Sequence, residues 1–141
     1  MLKLSNGCFA ALLVLAAGCS TPTEATGPLF TDIDAARSAW LANRPHNYSF
    51  VVAPSSSWFL PVEYYVEVVN DRVSLALDPK GKVVSSFTTT IDSIWAGVLT
   101  ARANSSINSA QFDARGVPRE VDWGSWPVDG GVHYSVRRFS Q

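Results

Sequence analysis

Val62–Leu77 reads VEYYVEVVNDRVSLAL, and its alternation decides the fold. Successive side chains of a strand point to opposite sides. Val62, Tyr64, Val66 and Val68 therefore share one face, and Glu63, Tyr65, Glu67 and Val69 share the other. The two glutamates mark the second face as the one that meets water. Asn70-Asp71 has the turn chemistry that reverses a chain within two residues, and Val73, Leu75 and Leu77 repeat the alternation after it. Two such runs joined by so short a turn pair antiparallel, since a parallel pair needs a long crossover.

Working outward, Asp78-Pro79-Lys80-Gly81 is a further turn, and Lys82–Phe87 is expected to continue the meander. On the N-terminal side, Tyr48–Ala53 has β-forming residues and is broken by Pro54-Ser55-Ser56-Ser57. Before it, Thr31-Asp32-Ile33-Asp34 reads as a helix N-cap with acids in the first turn, and Ile33, Ala36 and Trp40 share one helical face until Pro45 stops the helix. After the meander, Ile91, Ile94, Trp95, Val98 and Leu99 form an apolar stripe at helical spacing, opened by Thr89 or Thr90 and closed by Asn104. Ile107–Asp113, Val117–Trp123 and Val132–Phe139 read as strands, the first two joined by Asp113-Ala114-Arg115-Gly116. The order α-β-β-β-α-β-β-β with hairpin-length turns predicts the α+β class: an antiparallel sheet with two helices packed on one face.

The chain has 141 residues, enough for one ordinary domain. Its 47% hydrophobic and 11% aromatic content argues against disorder. A formal net charge of −1 with both signs interspersed gives no electrostatic footprint for nucleic acid. The 2 cysteines are Cys8 and Cys19, both near the N-terminus, so the remainder is expected to hold neither a disulfide nor a thiolate metal site.

That N-terminus carries the firmest functional signal. Lys3 precedes the apolar run Phe9–Ala17, FAALLVLAA. As a helix this run spans about 14 Å, under half of the roughly 30 Å hydrocarbon core of a bilayer, so it reads as a secretory leader and not as a membrane span. Leu15-Ala16-Ala17-Gly18-Cys19 resembles a bacterial lipobox, with Ala16 standing where leucine is more usual. Residues 1–18 are thus expected to be a signal peptide, and Cys19 to take lipid. One acyl chain binds at only about 10⁴ M⁻¹, whereas several anchor stably. Residues 19–30 then form a polar, flexible tether and residues 31–141 the single domain. The expected location is the bacterial cell envelope. Ser20, which is not an inner-membrane-retaining aspartate, favours the periplasmic side of the outer membrane.

With these segments placed, the chain resembles small bacterial lipoproteins labelled only as a domain of unknown function (family six-one-seven-four). The resemblance runs through Trp40, Tyr48-Ser49-Phe50, Thr90-Ile91-Asp92, Ile94-Trp95, Phe112-Asp113, Gly116-Val117-Pro118 and Asp122, covering roughly residues 33–138. Many members carry cysteines after the Tyr-Ser-Phe strand. Here that stretch is Ala53-Pro54-Ser55-Ser56-Ser57-Trp58, so no role of those cysteines carries over. The resemblance implies fold and location, and it implies no activity.

Chemistry is sparse. His46 and His133 are the only imidazoles. A small hydrolase would use His133 with Asp122 or Asp129, yet no nucleophile elbow accompanies them. His133 is out of phase with Val132, Tyr134 and Val136 and is expected on the face away from the helices. No metal-ligand spacing, phosphate loop or cofactor motif occurs, and none of these groups is expected. Glu63 and Glu67 read as solubilising residues of an exposed edge. The anomaly is aromatic: Trp58, Phe59, Trp123 and Trp126 lie beside Gly, Ser and Pro in expected loops. They either fold over the open end of the core or form a groove for an envelope protein, a peptide, a glycan or an apolar ligand. The expected function is a lipid-anchored, non-enzymatic binding or interaction module. A hydrolase is the first alternative, and an exported domain without lipid the second.

Overall fold

The structure, a computed structural model, describes residues 27–56, 58–124 and 130–141. The expected leader, Cys19, Trp126 and Asp129 lie outside the described residues. Those described form α1 (Ile33–Asn43), β1 (Tyr48–Ser56), β2 (Tyr64–Val69), β3 (Arg72–Leu77), α2 (Ile91–Ala103), β4 (Ile107–Phe112), β5 (Pro118–Trp123) and β6 (Val132–Ser140). All pairings are antiparallel, and the strands lie in the order β3-β2-β1-β6-β5-β4. The two meanders therefore join along β1 and β6, and the class is α+β.

Local chemistry sets the helix ends. Asp32 caps α1, its carboxylate accepting from the Asp34 and Ala35 amides at 2.9 and 3.0 Å. Thr90 and Ser93 form a capping box at the start of α2, and Asn104 ends it. Both helices lie on one face of the sheet. Trp40 of α1 meets Tyr48 and Phe139 edge-on, and Trp95 of α2 stacks on Phe112 at 4.7 Å. One core unites these rings with Phe50, Val52, Val66, Val68, Val121 and Val136. The Trp95 indole N–H donates to the Gly116 carbonyl at 3.0 Å, so its one polar group is satisfied where the ring is wholly buried.

Five expectations change. Pro54 does not break the first strand, because β1 keeps pairing with β6 through Ser56. Lys82–Phe87 does not continue the meander as a strand and makes only a bridge, Val83 to Leu77. The chain turns instead, and Phe87 lays its ring on Tyr64 at 4.5 Å. Leu75 and Leu77 do not follow Val73 onto the core face, because the register shifts between Glu67 and Val68. One extra residue reverses the phase, so Ala76 is buried and the two leucines pair with Glu67 and Tyr65. Glu67 does not guard an edge, since β2 lies between β1 and β3, whereas Glu63 stands exposed just before β2. Phe30, expected in the tether, joins the fold by two 2.8 Å backbone bonds with Phe112.

Candidate functional site

The sheet leaves two regions where chemistry meets solvent. The first lies at one end. β1 outruns β2, with Val52 opposite Tyr64 as the last pair, while its final residues pair with β6 as far as Ser56 and Val132. The chain then reverses, Ser56 and Phe59 exchanging backbone bonds at 3.1 and 3.3 Å. This reversal projects Trp58, Phe59 and Leu60 outward at 74%, 75% and 87% exposure. Beneath them lies an open cleft of about 590 Å³ whose floor and walls include Pro54, Val62, Tyr64 and Tyr134. Among the described residues, none lining it is charged. Burial raises the Tyr134 phenol above the ordinary tyrosine range, so it stays a neutral hydrogen-bonding group in an apolar wall.

Of the expected binding residues, Trp58 and Phe59 share this cleft. Trp123 does not belong to a loop. It is the last residue of β5, half-buried, with its ring 5.6 Å from Tyr134. It lies so close over Gly97 of α2 that a Cβ there would stand 2.8 Å from the indole. It therefore supports the cleft through Tyr134 and walls the core. Leu60, Val62 and Tyr64 were missed as contributors, although the uncharged run Trp58–Val62 is visible in the sequence.

The second region is the face without helices. His133 lies there, as its phase predicts, opposite Asp122 in the register. Its partner, however, is Glu120, whose carboxylate stands 3.0 Å from Nε2. Asp122 instead accepts from Asn108 at 2.9 Å. Ser135 donates its hydroxyl to the other Glu120 oxygen at 2.8 Å. Serine catalysis places the imidazole between hydroxyl and acid. Here the acid stands in the middle, so the imidazole is not aimed at the serine proton. Glu63 and Arg137 stand 3.8 Å apart in the same shallow depression. Glu67 accepts from the Tyr65 hydroxyl at 2.9 Å.

His46 joins a structural chain of charges. Asp71 bridges it, at 2.9 Å, to Arg44, also at 2.9 Å. Arg44 continues to Asp92, which also accepts from the Trp40 indole at 3.0 Å. The His46 hydrogen bond, with help from the Arg44 charge, holds Asp71 below the usual carboxylate range. Among the described residues, no three His, Cys, Asp or Glu side chains gather to hold a metal ion. No helix there is long and apolar enough to cross a membrane.

Comparison with family models, with curated proteins and with solved structures finds no match to this chain.

Proposed function

We propose that this chain is a lipid-anchored protein of the bacterial cell envelope, whose folded domain works by binding and not by catalysis. The anchor reading is supported by Lys3, the apolar run Phe9–Ala17 and the lipobox-like Leu15–Cys19. The resemblance to the small lipoprotein family of unknown function agrees with it. The observation that carries the binding reading is the uncharged, projecting Trp58-Phe59-Leu60 tip over an apolar cleft. A molecule this small normally buries such a group of rings, and an exposed apolar surface at one place marks a contact site. In the Ser135–Glu120–His133 arrangement the carboxylate and not the imidazole meets the hydroxyl, which favours binding over serine catalysis.

Titration with the fluorophore anilinonaphthalene sulfonate tests the cleft. One probe per chain should bind with enhanced emission, and Val62→Ser together with Trp58→Ser should remove the enhancement. Enhancement unchanged in that variant would show that the cleft is not the binding surface.

A further inference from the structure

We infer that the Trp58-Phe59-Leu60 tip docks into the interface of a lipid bilayer, giving the anchored domain a second, non-covalent contact with the membrane. This rests on the reading of the tip as the domain's contact surface and of Cys19 as its lipid attachment. Three observations select a lipid surface over other occupants.

The first is charge. No residue from Ala53 to Val62 is charged, so the tip enters an apolar medium without stripping water from an ion. Trp is a residue of bilayer interfaces, where an apolar ring with one N–H donor is satisfied on both sides. The nearest charges along the chain set a depth limit. Glu63 follows Val62, with Arg137 beside it at 3.8 Å, and this neutralised pair is suited to the headgroup layer.

The second is backbone. β1 residues beyond Val52 have no β2 partner, and a peptide could add a strand there. That edge holds Pro54, which has no N–H to donate. The cleft is therefore poor at holding an extended peptide by its main chain, and what remains is apolar side-chain surface.

The third is reach. Phe30 enters the fold beside Phe112, at the end of the sheet away from the tip. The nine residues of β1 measure about 30 Å. The chain between Cys19 and Phe30 extends to at most about 36 Å. The attachment thus lets the tip meet the same bilayer, and tethering raises its effective concentration there.

Vesicle flotation tests this with the chain from Ser20 onward, which is unlipidated. The described core runs from Ala36 to Phe139, so it is intact in that chain. The chain should float with phosphatidylcholine vesicles and with vesicles containing phosphatidylglycerol alike, at low and high salt, because the tip is uncharged. Trp58→Ser with Leu60→Ser should lower partition by about tenfold or more, with thermal unfolding unchanged since both residues project into solvent. Trp58→Phe should retain partition while losing the blue shift of tryptophan emission on binding. Three results would overturn the inference: no flotation, flotation equal in the double variant, or flotation that vanishes at high salt. Tip-dependent self-association without vesicle binding would assign the surface to a second copy and overturn it too. The anchor reading is separable, because the mass of the protein from cells reports Cys19 lipidation whatever the vesicles show.

Discussion

Gly116 stands at φ +76°, and a Cβ there would lie 2.0 Å from the Ala36 carbonyl and 2.6 Å from the Trp40 amide nitrogen. The turn Asp113–Gly116 is thus pressed against α1, and only glycine has both the dihedral and the room. Gly116→Ala should cost upward of about 2 kcal/mol in chemical denaturation, through strain and the displacement of α1. Trp95 is its partner, donating to the Gly116 carbonyl and stacking on Phe112. Trp95→Ala should cost about 3–5 kcal/mol by the same measurement. Tyr48 gives a titration handle. Burial pushes its phenol up to about 12, against which the Ile91 amide donates to its oxygen. The unfolded chain ionises first, near pH 10, so Tyr48 stabilises the fold below that value and the contribution is lost as pH rises toward 12. Unfolding followed from pH 9 upward should show a loss to which Tyr48 contributes at most about 1.4 kcal/mol per pH unit, and Tyr48→Phe should make the loss shallower, leaving the part due to the raised Tyr65 and Tyr134 phenols.

Among the elements, α2 was legible because its information is local: a capping threonine, an apolar stripe and a closing asparagine all lie in one stretch. Thr90→Ala should lower stability by about 1 kcal/mol, measured by denaturant unfolding. The β1–β2–β3 order was legible for the same reason, since alternation and turn residues are neighbours in sequence. What failed is non-local. The shift at Glu67/Val68 reversed the phase of Leu75 and Leu77, and a bulge is invisible to a period of two. Glu120 was missed as the partner of His133 because it lies diagonally across the β5–β6 pair, where register and not sequence distance makes neighbours. Trp123 was misread as a loop residue because Gly124 follows it, although Gly97, far away in sequence, had left space for its ring. The ion chain at Asp71 joins the turn after β2 to the end of α1, and its lowered carboxylate has a defined sign. The contribution is full above the unfolded value of about 3.9 and disappears as pH falls through the lower folded value. Asp71→Asn should therefore flatten that part of the acid limb of a melting-temperature profile.

For the whole molecule, the buried rings and their polar partners build the frame. Trp40 bonds Asp92, Tyr48 accepts from Ile91, Trp95 bonds Gly116, and Asp113 accepts from the Arg115 and Val117 amides. These contacts hold two helices to a sheet, and the tip at Trp58–Leu60 stands exposed outside them. Such a division suits a module in which a packed frame carries an exposed contact surface. On the present account the frame is exported, attached through Cys19, and presents its tip within reach of the membrane. Intact mass and membrane partition of the protein expressed in bacteria, beside Cys19→Ala, test this most directly. The account predicts a wild-type chain that begins at Cys19, carries acyl chains and sediments with membranes, and a variant that keeps its leader and gains no lipid. A wild-type chain that is soluble, free of lipid and cut at another position would contradict it.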